Sequence, residues 1–180
     1  MCIRDSYRLI TSINLSDDKL LTYKLLTEAS QYSSQLVLAH GVESQLAAAI
    51  NARRTEEAMS IYGAASDLFA AQVIECTSHL RAGTGPYSTT YAARMLGFAR
   101  DHNLPAILSN AVRMLDRADG PIADVLDSAR KLVPLHHKHV ERSNSEGYLK
   151  NPAEMAWVGD EIARAAGERN GNRLLSLIHI

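Results

Sequence analysis

Two clusters in this chain combine residue types that could do chemistry. Three residues separate Glu75 from His79, and a carboxylate paired with an imidazole can ligate a divalent metal. Composition alone favours a plainer reading of the same pair, a polar strand end followed by an exposed histidine. The second cluster is Ser109-Asn110-Ala111-Val112-Arg113. In an extended segment residues 111 and 113 face the same way, because side chains alternate with period two. Other patterns fall short. Gly83-Thr84-Gly85 runs into Pro86 and Tyr87, so it lacks the third glycine of a dinucleotide loop and the Gly-Lys-Ser/Thr end of a phosphate loop. Pro86 also removes an amide that a phosphate would want. His136-His137-Lys138-His139 has only Glu141 as a nearby acid, and reads as a solvated loop. Arg53, Arg54, Arg94 and Arg100 are scattered among acids and trace no DNA-tracking groove.

Short apolar segments must position these groups. Leu36-Val37-Leu38-Ala39, bounded by Ser33-Ser34 and Gly41, is consistent with a buried strand. Gln72 to Cys76 reads as a second strand and Leu104 to Leu108 as a third, with Pro105 near its start, where a missing amide is tolerated. Residues 43–70 are alanine-rich with helical spacing, broken near Arg53-Arg54. Thr55 is the N-cap expected after the break, with Glu56 and Glu57 complementing the helix dipole. Ser88 caps a helix whose Ala92, Met95, Leu96 and Ala99 repeat at i, i+3, i+4, i+7. Asp119-Gly120-Pro121 opens another, with Ile122, Val125 and Leu126 on one face. Asn151-Pro152-Ala153-Glu154 carries the signature of a capping box, and Gly167 closes that helix. Strands alternating with helices predict an α/β unit with a parallel sheet. In such folds reactive groups sit just past the carboxyl ends of strands, where Glu75, His79 and residues 109–113 fall. Three strands are too few to close a barrel. The segment is a small open sheet or part of a larger barrel.

With 180 residues, 46% hydrophobic and 22% charged, the composition excludes wholesale disorder, collagen and a membrane bundle. A net charge of −1 supplies no basic field for holding nucleic acid. No apolar run is long enough to span a membrane and no signal peptide is visible, so the expectation is a cytoplasmic protein without a membrane partner. Cys2 and Cys76 make no disulfide framework.

The two ends carry an unusual signature. The DNA string ATGTGTATAAGAGACAG encodes Met1 to Asp5 and enters the codon of Ser6. Its reverse complement, CTGTCTCTTATACACAT, encodes Leu175 to His179 and begins the codon of Ile180. Residues 1–6 and 175–180 therefore read as a translated sequencing adaptor and are set aside from fold reasoning. On this reading the native part is residues 7–174, Cys76 is its only thiol, and the native chain continues in both directions.

Within residues 7–174 a family resemblance emerges, strongest from about 70 to 160. A strand followed by Ser109-Asn110-Ala111-Val112-Arg113 resembles the Thr/Ser-Asn-Asp-Val-His motif near the end of the PHP (polymerase and histidinol phosphatase) domain in bacterial polymerases of the DNA polymerase III alpha type. His102 to Asn110 is similar to the family's Gly-Leu-Pro, apolar, Thr-Asn phrase. Gly147 to Met155 looks like its Tyr-Leu-Lys and Glu-Met phrase, and Tyr7-Arg8-Leu9-Ile10 resembles the remnant of an upstream segment. The loop 83–86 and the stretch 111–134 look closest to the error-prone alpha polymerases of high-GC bacteria.

The resemblance implies the C-terminal part of a PHP domain, a partial (β/α) distorted barrel. The parent would be a DNA-directed DNA polymerase in replication or translesion repair. Its palm would hold Mg2+, its substrates would be DNA and dNTPs, and its partners would include the rest of the chain and a clamp or accessory subunits. In metal-binding relatives the motif's aspartate and histidine are ligands; here they are Ala111 and Arg113. Alanine has no lone pair, and arginine brings a fixed positive charge. Glu75 matches the strand-end glutamate, but the Gly-Cys segment expected near His40-Gly41 lacks its cysteine. The expectation is a degenerate site at Glu75, Ala111 and Arg113, with residual binding at Glu75 and His79 the open question, no cofactor and a scaffold role. The rivals are a free-standing PHP phosphoesterase and a non-catalytic α/β interaction module.

Overall fold

A computed structural model describes residues 3–15, 23–136, 138–140, 142–167 and 175–177. Its centre is a parallel sheet in the order β1 (Leu38–His40), β2 (Gln72–Thr77), β3 (Ala106–Ser109), β4 (Leu175–Leu177). Between and around the strands run α1 (Ile3–Leu15), α2 (Tyr23–Ser30), α3 (Gln45–Asn51), α4 (Thr55–Ser66), α5 (Thr89–Asp101), α6 (Gly120–Lys131) and α7 (Pro152–Ala165). The class is α/β, and the sheet is open rather than closed into a barrel.

The strands sit one or two residues from their expected positions, because the apolar runs also serve as lead-ins. Val37, inside the first run, is 62% exposed, whereas His40 at the end of β1 is buried. The fourth strand was not expected. It lies in the segment read as adaptor, where Leu175 to Leu177 pairs with the outer edge of β3. An unpaired edge accepts any extended apolar segment that reaches it, since its N–H and C=O groups are otherwise unmatched. α1, also unanticipated, runs through the Ser6–Tyr7 boundary without a break.

Helix ends follow their chemistry. Ser88 Oγ accepts from Tyr91 N at 3.1 Å, and Ser44 does the same for Ala47. Asn151 Oδ1 accepts from Ala153 N and Glu154 N, while Glu154 Oε2 accepts from Asn151 N, closing the box. Gly167 follows α7 with φ +83, the left-handed turn that glycine makes at no steric cost. Thr55 is displaced from its expected role: it is the first helical residue, and Arg54 occupies the N-cap with no side-chain hydrogen bond.

The main core lies on one face of the sheet. Ile74, Cys76, Ala106 and Leu108, alternate residues of β2 and β3, pack with Leu46 and Ile50 of α3, Met95 and Leu96 of α5, and Val158 and Ile162 of α7. The residues between them, Glu75 and Thr77 of β2 and Ser109 of β3, point to the other face. This alternation sends the polar groups away from the helices and into one cleft. A second cluster is small: Met114, Ala123 and Tyr148. In α6 the expected stripe of Ile122, Val125 and Leu126 does share one side, and that side faces outward and is exposed.

Candidate functional site

A cleft of about 560 Å3 opens beyond the carboxyl ends of β2 and β3, and Glu75, His79, Ala111 and Arg113 all line it. The structure thus gathers all four residues singled out from sequence. Their chemistry differs from that of a ligand set.

Thr77 and Ser109 are direct partners in the β2–β3 register, which places their hydroxyls 2.8 Å apart. Ser109 Oγ donates to Glu75 Oε1 at 2.5 Å. The relay therefore runs from Thr77 to Ser109 to the carboxylate. The other carboxylate oxygen abuts Gly41, where an added Cβ would lie only 2.5 Å from Oε2. Glycine there lets the carboxylate lie against the turn after β1.

His79 is buried, stacked on Tyr87 with ring centroids 4.7 Å apart. Its Nε2 donates to Asn110 O at 2.8 Å, so that nitrogen is not available to a metal. Among the described residues no hydrogen bond joins Glu75 to His79. Ala111 has φ +43, so the chain leaves β3 through a left-handed residue instead of continuing extended. The expected strict alternation of 111 and 113 breaks there, although both still border the cleft. Arg113 is engaged by Asp127 of α6 through two hydrogen bonds, 3.0 and 2.6 Å. Its guanidinium holds the Asp127 carboxyl below the usual range. Arg142 repeats the arrangement, gripping Asp124 of α6 at 2.8 and 2.6 Å. Two arginine–carboxylate forks thus tie α6 to the rim.

Beneath the rim lies a buried polar hub that sequence reasoning did not assign. Asn110 Nδ2 donates to Tyr148 O at 2.6 Å and to Glu146 O at 3.0 Å. Its Oδ1 accepts from Lys150 Nζ at 3.2 Å. The Lys150 side chain is only 2% exposed, sits 4.4 Å from the Tyr148 ring centroid and also donates to Glu146 O. It lies 3.3 Å from Glu146 Oε2, an ion pair without hydrogen-bond alignment. Burial pulls the Lys150 ammonium below its ordinary range, and Glu146 opposes that shift. In sequence only the Tyr148-Leu149-Lys150 phrase signals this hub, and Asn110, which ties it together, lies 36–40 residues from its three partners.

The metal question can be tested on these contacts. One Glu75 oxygen holds a serine proton, position 111 offers only a methyl, and Arg113 is a cation already matched. Among the described residues no group of three or more His, Cys, Asp or Glu could hold an ion. The residues present do not fit a metal. The imidazoles of His136 and His139 are exposed, while His137 and Glu141 lie outside the described residues. Cys76 is no nucleophile: burial, and then the nearby Glu75 charge, pushes its thiol up to about 12.

Burial lowers the pKa of both His40 and His79 from the ordinary 6.5. For His79 the nearby Lys150 and Arg81 add to the lowering, while the Asn110 carbonyl and Glu146 oppose it. His40 is opposed only by its hydrogen bond to Gln72. The unfolded chain therefore binds protons that the folded chain refuses. Stability is full above about pH 6.5 and falls as pH drops from there toward the folded values. Asp127 and Glu154, whose carboxyls are held low, lose their contribution only in more acid solution. Urea midpoints measured from pH 7.5 downward should begin to fall near pH 6.5, and His40→Gln with His79→Gln should flatten that first limb. A flat native profile down to pH 5 would contradict this account.

The fold and cleft define an α/β protein with an open parallel sheet and a polar cleft at its strand ends. No protein-family model and no curated protein matches the chain. Among the described residues no helix is long and apolar enough to cross a membrane.

Proposed function

We propose that residues 7–174 are a degenerate PHP domain, part of a DNA polymerase III alpha-type enzyme, in which the old cation pocket serves as a structural joint. The carrying observation is the cleft itself, where Glu75, Ala111 and Arg113 come together at the strand ends and Arg113 is spent on Asp127. One-sided packing adds support. The main helical core takes alternate residues of β2 and β3, leaving the opposite face to line the cleft, as the wall of a (β/α) barrel would. The open sheet is then a sector of that distorted barrel, and β4 stands in for a native strand.

In this reading the parent performs template-directed nucleotidyl transfer with Mg2+ bound outside this chain. No residue here has a catalytic role. What the cleft residues do is mechanical: the two forks and the Asn110 hub fix α6 and residues 142–150 to the sheet. The parent would work in the cytoplasm with DNA, dNTPs and clamp or accessory subunits.

Equilibrium dialysis of the purified chain against Zn2+ and against Mn2+, followed by elemental analysis, tests the degenerate site. The expected content is far below about one equivalent per chain. Stoichiometric metal that disappears in Glu75→Gln would overturn the reading and favour a free-standing PHP phosphoesterase. Uninterrupted source DNA read in the same frame should continue into polymerase fingers and palm. A stop codon directly after Leu174 would instead favour a self-contained interaction module.

A further inference from the structure

The outward stripe of α6 inverts the usual arrangement of a surface helix, which turns its apolar face to the core. Its inward positions are small or acidic: Gly120, Ala123, Asp124, Asp127 and Ser128. Its outward positions are Ile122, Val125, Leu126 and Ala129, and Leu132 at the C-cap continues the same phase. Ile122, Val125 and Leu126 are 60%, 50% and 64% exposed, and Leu132 is 93% exposed. The inversion has a structural cause: Asp124 and Asp127 are drawn inward by Arg142 and Arg113. Once those forks set the rotation of the helix, the apolar stripe has to face away from the domain.

We infer that this face is the contact between two copies of the chain, paired antiparallel across a two-fold axis near Val125. The charge pattern around the stripe is self-complementary. Asp116 and Asp119 lie before its N-terminal end, and Arg130 and Lys131 lie at its C-terminal end. Val125 is five and six residues from Arg130 and Lys131, and six and nine from Asp119 and Asp116. An antiparallel crossing at Val125 therefore brings each acidic end to the partner's basic end, whereas a parallel one sets like against like. Arg130 is 72% exposed, and its 3.5 Å ion pair to Asp127 is the weaker of the two cation contacts on that carboxylate, beside the Arg113 fork. An isologous contact requires this kind of self-matching surface. Four large apolar side chains, each half or more exposed, would form the centre of a contact whose standard size is roughly 800 Å2 per partner.

The test is sedimentation velocity of the full chain between about 1 and 100 μM, with the wild type shifting from monomer to dimer. Val125→Glu should weaken the dimer at least about tenfold. The double variant Arg130→Glu, Lys131→Glu should do the same, and it leaves the apolar stripe intact. Circular dichroism checks that both variants stay folded: Val125→Glu, at an exposed position, should melt with the wild type, whereas Arg130→Glu, Lys131→Glu gives up the Arg130–Asp127 pair and should melt somewhat lower while keeping the same spectrum. A wild type that stays monomeric throughout overturns the inference. So does a dimer indifferent to both variants, or association that continues past two copies. None of these outcomes bears on metal binding, so the two proposals stand or fall separately.

Discussion

Asn110→Ala is expected to destabilise the chain by about 2–4 kcal/mol, the scale for leaving more than one buried hydrogen-bonding group without its partner. The amide supplies three hydrogen bonds at once, to the carbonyls of Glu146 and Tyr148 and from Lys150. Truncation leaves two carbonyls and an ammonium short of partners where water is excluded. For a chain of this length each kcal/mol moves the midpoint by about 2–4 °C, so a drop of roughly 10 °C should be seen by thermal melting. Asn110→Asp separates the charge from the geometry. It keeps an acceptor for Lys150 but sets a carboxylate oxygen against both carbonyls, and should be at least as destabilising as the alanine. If Asn110→Ala melts with the wild type, the hub is not what holds residues 142–150 in place.

Leu108→Ala should cost about 2–5 kcal/mol by the usual sum of lost transfer energy and residual cavity. Leu108 is fully buried on the helical face of β3, and its Cδ2 lies 3.2 Å from where a Cβ on Gly159 would stand. Gly159 has no side chain that could swing into the space, so the void opens against bare helix backbone and refilling it requires α7 itself to move. The variant therefore belongs in the upper half of the range. A loss below about 1 kcal/mol in urea titration would show that α7 can move to heal the gap.

Much of the layout was legible from local signals. Ser88 and Asn151 announced helices α5 and α7 because a side-chain oxygen ahead of an apolar periodic run has one good use. β2 was legible because Gln72 to Cys76 is β-rich and bounded by breaks. Strand-end logic placed Glu75 with His79 and residues 109–113 at the carboxyl ends of two strands, and their sharing one cleft follows from the pairing of β2 with β3. The face of α6 was not legible. Periodicity shows that Ile122, Val125 and Leu126 share a side, but which side turns inward depends on Arg113 and Arg142. These lie 14 and 18 residues from their aspartates, outside any local window. Asn110 was hidden for the same reason, since its partners are distant carbonyls that no composition rule marks. β4 was invisible because edge pairing is decided by which segment arrives, not by the segment's own pattern.

The left-handed backbone at Ala111 has a consequence for what this position would accept. An L-residue with a plain Cβ pays about 1–2 kcal/mol in that region, and aspartate and asparagine tolerate it better because their short side chains can bond locally. Position 111 is thus bent in a way that suits a carboxylate better than the methyl it bears. The bend is upheld by its neighbours, with Gly147 O accepting from Arg113 N and Tyr148 O from Asn110 Nδ2, rather than by the side chain at position 111 itself.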